Sequence, residues 1–80
     1  MYYTYIIASE KTGRYYVGYT GDLDKRLARH NAGWSRSTKS GIPWKIVYYE
    51  IYENKTDAIK REQELKRWKS RERLEALIQG

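Results

Sequence analysis

No cysteine occurs among the 80 residues. That absence excludes disulfide cross-links, thiolate metal sites and cysteine nucleophiles, and it agrees with a reducing compartment, the default being cytoplasmic. Long apolar runs are missing too, and none approaches the roughly 20 residues that span a bilayer. The start Met1-Tyr2-Tyr3-Thr4-Tyr5 lacks the basic region of an export signal. Neither a membrane nor export is expected. There is no linker, internal repeat or low-complexity tract, and the length suffices for one hydrophobic core only. Residues 1–80 are therefore expected to form a single domain in which binding surface and chemistry share one layer of structure. So small a domain is marginally stable unless it packs well, binds metal or associates. Its surplus of aromatics is compatible with a homodimer.

Positive charge is what the chain has in excess: 16 Lys and Arg against 10 Asp and Glu give +6 and a pI near 9.6. Such a balance favours polyanion partners through phosphate contacts and counterion release. A merely soluble basic surface would have the same charge, so the residue pattern must decide.

Tyr2 to Ala8 and Tyr15 to Thr20 are dense in β-branched and aromatic residues, and the turn-like Ser9 to Gly13 lies between them. They read as a β-hairpin. With the two-residue period of a strand, Tyr3, Tyr5 and Ile7 share one face of the first, and Tyr16, Gly18 and Thr20 one face of the second. Thr20 or Asp22 can cap a helix that Asn31 to Gly33 stops. Asn31 to Pro43 reads as a loop too polar to be core. Trp44 to Tyr52 is a third strand, Asn54 or Thr56 caps a helix to about Trp68, and Ser70 caps a final short one. The order predicts an α+β layout, a small mixed sheet with helices packed on its faces.

Both long helices carry charge on their apolar sides. At about 100° per residue, Arg26 and His30 fall in the sector of Leu23 and Leu27, while Glu62 falls near the middle of the side set by Ala58, Ile59, Leu65 and Trp68. An inward carboxylate costs several kcal/mol unless it is paired or holds a cation. One resolution is structural: Arg26 reaches the rim or pairs with Glu62, and His30 is a satisfied core histidine. The other is chemical, because phosphodiester hydrolysis uses these same parts. A carboxylate holds a hard divalent cation, arginine neutralises developing charge, and tyrosine or histidine positions or deprotonates water. A phenol with its ordinary pKa of about 10 must be lowered by the metal or by Arg to serve as base at neutral pH.

In these motifs the sequence resembles the GIY-YIG nuclease superfamily, and most of all its short, free-standing bacterial members. Tyr3-Thr4-Tyr5 and Tyr16-Val17-Gly18 stand where the family has its two tripeptides. Asp22 to Leu27 with His30 resembles its Arg- and His-bearing helix, and Ala58 to Trp68 its metal-binding helix. The resemblance implies a three-stranded antiparallel sheet flanked by helices in the order β-β-α-β-α-α. It also implies a metal-dependent endonuclease using one Mg²⁺ or Mn²⁺. Carried over residue by residue, Tyr5 is the general base, Tyr16 orients water and phosphate, and Arg26 stabilises the transition state. His30 assists proton handling or phosphate contact, Glu62 holds the metal, and Gly18 keeps space open beside the tyrosines. Two departures stand out. Tyr3 replaces the glycine of the first motif, and no asparagine follows Asn54 where many of these nucleases have one after the metal glutamate. Lys66, one turn beyond Glu62, is a candidate for the missing phosphate contact.

Seven of the fourteen residues from Lys60 to Arg73 are basic. Lys60, Lys66, Arg67 and Lys69 on that run, with Trp34, Arg36 and Lys39 in the loop, are the candidate nucleic-acid contacts. Contacts to backbone position without reading bases, and no recognition helix or zinc finger is present, so specificity is expected to be structural. Nucleic acid, with DNA favoured by the family, is the expected partner. A binding module without turnover and an RNA-directed nuclease or binder are the alternatives.

Overall fold

A computed structural model describes residues 1–80. Its elements are β1 (Tyr2–Ser9), β2 (Tyr15–Thr20), α1 (Leu23–Asn31), β3 (Trp44–Tyr52), α2 (Lys55–Trp68) and α3 (Arg71–Gln79), with a 3₁₀ turn at Lys39–Gly41 before β3. Asp22 and Ser70 cap α1 and α3 through their side chains. Asn54, not Thr56, precedes α2, and it makes no side-chain cap bond. The strands lie in the order β2-β1-β3, antiparallel throughout. This is the sheet the family resemblance implies, and no parallel pair justifies the mixed sheet read from the pattern alone.

The central strand is buried on both faces because helices cover both. Tyr5, Ile7 and Trp44 pack with Leu23 and Leu27 of α1, whereas Ile6 and Val17 pack with Leu65 of α2 and with Trp68, Leu74 and Leu77 beyond it. Truncating a fully buried leucine such as Leu65 to alanine typically costs about 2–5 kcal/mol. Pairing of Tyr5 with Gly18 and Ile7 with Tyr16 puts the tyrosines of both motifs on the α1 face.

A bulge breaks the register between β1 and β3: Ile6 faces Tyr48 but Ile7 faces Ile46. Val47 is the extra residue, and it joins Tyr48 in packing against the Ile6 cluster. Past the bulge, Glu50 accepts hydrogen bonds from Tyr48 and Tyr52 and from Arg61 of α2 at 2.9 Å, and Arg61 also reaches Glu64. Burial alone would raise the Glu50 carboxyl. The bonds from Arg61, Tyr48 and Tyr52 outweigh it and hold the group below its ordinary value.

Because a depressed carboxylate binds fewer protons folded than unfolded, its stabilisation is present above about pH 4.5 and is lost as pH falls through the lower folded value. Glu50→Gln should therefore cost about 1–3 kcal/mol at pH 7. It should also flatten the acid side of the stability profile, as measured by urea unfolding between pH 3 and pH 7.

Candidate active site

Tyr5 is the centre of the cluster, and Gly18 opposite it is what lets its ring lie flat on the neighbouring strand. A Cβ on Gly18 would stand 2.5 Å from Tyr5 Oη and 2.7 Å from Cζ. Above the ring, α1 presents Arg26 and His30, four residues apart and so on one helical face. His30 Nε2 lies 2.9 Å from Tyr5 Oη, and Arg26 Nε donates to the same oxygen at 3.3 Å. Across the imidazole, Nδ1 lies 2.9 Å from Thr38 Oγ1.

The direction of these bonds follows from the far end. The Thr38 hydroxyl donates to the Ser35 carbonyl at 3.4 Å, which leaves its oxygen to accept from His30 Nδ1–H. Nε2 then carries the lone pair and accepts the Tyr5 hydroxyl proton, while the guanidinium donates to Tyr5 from the other side. Burial raises the Tyr5 phenol, and the hydrogen bond and charge of Arg26 offset this only in part. Of the two means by which such a phenol could be lowered, metal or Arg, Arg26 acts in the required direction, but in the free protein removal from water outweighs it. Burial, then the Arg26 charge, holds His30 below its ordinary 6.5. At pH 7 the pair is phenol and neutral imidazole.

Tyr16 borders the same cluster. Its ring stands edge-on to His30 at 5.2 Å between centroids, and Lys66 Nζ lies 5.7 Å from its centroid. Lys66 in turn pairs with Glu62 at 3.4 Å. Glu62 and Arg26 form no ion pair, so the structural pairing of those two is set aside: Arg26 is engaged by Tyr5 and Glu62 by Lys66. Glu62 lies close enough for its charge to act on Tyr5. No cluster of three or more His, Asp or Glu side chains gathers around it. One carboxylate fits a cation such as Mg²⁺, which keeps several waters and takes phosphate oxygens as ligands.

Of the seven proposed nucleic-acid contacts, Lys66 borders Tyr16, and Trp34 lines a cleft with Arg26, Arg29, His30 and Ser35. Arg36 and Lys39 are exposed on the loop between α1 and β3. The others lie elsewhere: Lys60 and Arg67 flank a groove with Tyr52, Asp57 and Glu64, and Lys69 sits beside Arg14 and Arg71. The basic run is therefore distributed around α2 and does not face the site as one grip.

Thr38 is the residue that pattern reading missed, and with it the loop was misjudged as wholly outside the core. Thr38 is 0% exposed. It is buried because its hydroxyl meets His30 and its carbonyl accepts Trp44 Nε1 at 2.6 Å, while the Asn31 side chain clamps both main-chain groups of Trp44. Every buried side-chain nitrogen and oxygen is satisfied. The only sequence signal was a buried-type histidine that needed a second partner. Tyr3, at the departed glycine, packs edge-on to Tyr49 at 6.0 Å and lines a groove with Leu23, Ile46 and Ile51, apart from His30.

Two tyrosines on paired strands, an Arg and a His one turn apart above them and a Glu on the next long helix define a nuclease-type domain. The chain matches the GIY-YIG catalytic domain over residues 1–75 and belongs to that family. Its relatives carry the name UPF0213. One from Staphylococcus saprophyticus is 36% identical over 99% of this chain and 96% of its own length. Another, from Streptococcus pyogenes, is 40% identical over 95% of this chain and 83% of its own. The solution NMR structure of a UPF0213 protein from Bacillus halodurans superimposes with a TM-score of 0.60 at 32% identity, over 99% of this chain and 84% of that one. No helix is long and apolar enough to cross a membrane.

Gly18→Ala should displace Tyr5 and break its bond to His30, at a cost of about 1–3 kcal/mol for overpacking. Thermal unfolding would register the loss, and the His30 imidazole resonances should shift. Unchanged resonances would contradict the close approach.

Proposed function

We propose that the chain is a metal-dependent endonuclease that hydrolyses phosphodiester bonds of DNA, selected by structure rather than by base sequence. The observation that carries this reading is the continuous line of hydrogen-bonding contacts that joins Arg26, Tyr5, His30 and Thr38. A raised phenol is a poor base alone, but a phenol already donating to neutral imidazole can take a proton from water as it gives its own to His30 Nε2. Arg26 steadies the oxygen during that exchange, and Tyr16 at the rim holds water and phosphate. Glu62 would hold the divalent cation, which supplies positive charge to the phosphate. Lys66, freed from Glu62, is placed to meet a phosphate oxygen. The choice of DNA over RNA rests on family analogy.

One observation favours a second reading. Tyr5 is only 1% exposed, as expected of a structural bracket in a binding module without turnover. In the nuclease reading Arg26 covers the phenol until phosphate draws the guanidinium outward.

The deciding experiment incubates the protein with labelled duplex, branched and single-stranded DNA and with RNA, in Mg²⁺, Mn²⁺ or chelator. Cleavage of DNA that chelator stops is expected; binding of several substrates with no cleavage selects the binding module. Glu62→Ala should abolish cleavage and keep or tighten binding, since it removes negative charge beside phosphate. Tyr5→Phe should lower turnover about 100-fold or more while the protein stays folded. Unfolding of that variant would support the structural bracket.

His30 has to be neutral to accept the proton. Its folded value lies below 6.5, so the unfolded chain takes up a proton first on acidification, and stability as well as rate should fall only below pH 6.5. A rate profile whose acid limb survives unchanged in His30→Gln would remove His30 from the proton path.

A further inference from the structure

The cleft beside Arg26 and His30 ends on a side chain that the fold does not use. Trp34 is 73% exposed. Single exposed apolar residues are ordinary and carry no message by themselves. Trp34 is different in being held in place. Gly33, at φ +80°, turns the chain at the end of α1, and the Trp34 N–H donates to the Arg29 carbonyl at 3.1 Å. The Arg29 guanidinium lies 5.2 Å from the indole centroid. Further along, the loop is fastened through Thr38 to His30 and Trp44. The cleft encloses about 290 Å³ between Arg26, Arg29, His30, Trp34 and Ser35.

A fixed aromatic plane beside a guanidinium, opening on a cleft with two arginines, suits a nucleobase and its phosphate. Bases stack on aromatic rings whatever their identity, and arginine adds cation–π attraction. Inside a duplex both faces of each base are covered by neighbouring bases. Away from duplex ends, Trp34 can therefore stack only on a base that has left the helix. The cleft is near the lower end of the roughly 300–1,000 Å³ of small-molecule sites, which is room for one base.

We propose that Trp34 and Arg29 form a stacking clamp for one unpaired nucleotide next to the phosphate at Arg26, so that the protein takes up single-stranded, bulged or branched nucleic acid in preference to unbroken duplex. This deepens the proposed function and rests on it. Trp34 meets the base, while Arg29 holds the indole and supplies charge to the flanking phosphate. Arg26 and His30 lie at the inner end of the same cleft, so the clamped nucleotide adjoins the bond to be cut.

The test reads binding without turnover. Tryptophan emission is titrated, in chelator, with single-stranded DNA and RNA oligonucleotides and with long linear duplexes with and without a one-nucleotide bulge. Trp44 is buried and Trp68 lies between Arg61 and Arg73, so Trp34 is the accessible reporter. Single strands of either sugar and the bulged duplex should quench emission and bind about ten-fold more weakly to Trp34→Ala, while Trp34→Phe keeps most of the affinity. The unbroken duplex should bind equally to wild type and Trp34→Ala. Unchanged affinity of Trp34→Ala for all ligands, or equal quenching by the two duplexes, would overturn the clamp. If the titration behaves as expected and no substrate is ever cut, the clamp stands and the nuclease reading fails. If DNA is cut and Trp34→Ala still binds single strands like wild type, the reverse holds.

Discussion

The hydrogen bond between Tyr5 and His30 joins the central strand to the helix above it, and three other arrangements depend on it. Gly18 has to lack a side chain for the Tyr5 ring to lie where it does. Thr38 has to be buried for the second imidazole nitrogen to be satisfied, and that burial draws the polar loop into the core. Arg26 has to approach from the outer side, because the phenol oxygen is already engaged by His30. In a low-dielectric setting such a fully satisfied network is rigid, and breaking one member leaves buried groups without partners.

The opposite face of the sheet is organised by a second polar cluster with another purpose. Glu50 gathers Tyr48, Tyr52 and Arg61 and so ties β3 to α2. Both clusters pair tyrosine with an ionisable group and an arginine, yet the groups differ. Glu50 is held charged by its donors, whereas His30 is held neutral by burial and the nearby Arg26. A carboxylate fixed in its charged state serves stability. A neutral imidazole beside a phenol has the arrangement that the proposed proton transfer would use, and it lines a cleft.

Much of this was legible in the residue pattern, for reasons that can be traced. Arg26 and His30 were conspicuous because helical periodicity put them among leucines. Glu62 was conspicuous for the same reason, and the two tyrosine tripeptides stood out by their resemblance to family motifs. The bulge at Val47 left no such trace, since a one-residue change of register is decided by the packing of β3 against both helical layers. The basic run misled in another way: composition counts charges, but the turns of α2 send Lys60 and Arg67 to one groove and Lys66 to the ring of Tyr16.

By itself, then, the sequence determined the order of the elements, the buried faces and which charges lie where apolar residues should. These are local quantities, set by backbone period, caps and turn residues. Only the tertiary structure decided the partners: Arg26 with Tyr5 rather than Glu62, Glu62 with Lys66, and His30 with Thr38. Such pairings join residues remote in sequence or fix which of several nearby donors is used, and they depend on distances that exist once the sheet and helices have packed. The state of Tyr5 was decided there as well, because burial and the Arg26 charge act on it in opposite directions and burial prevails.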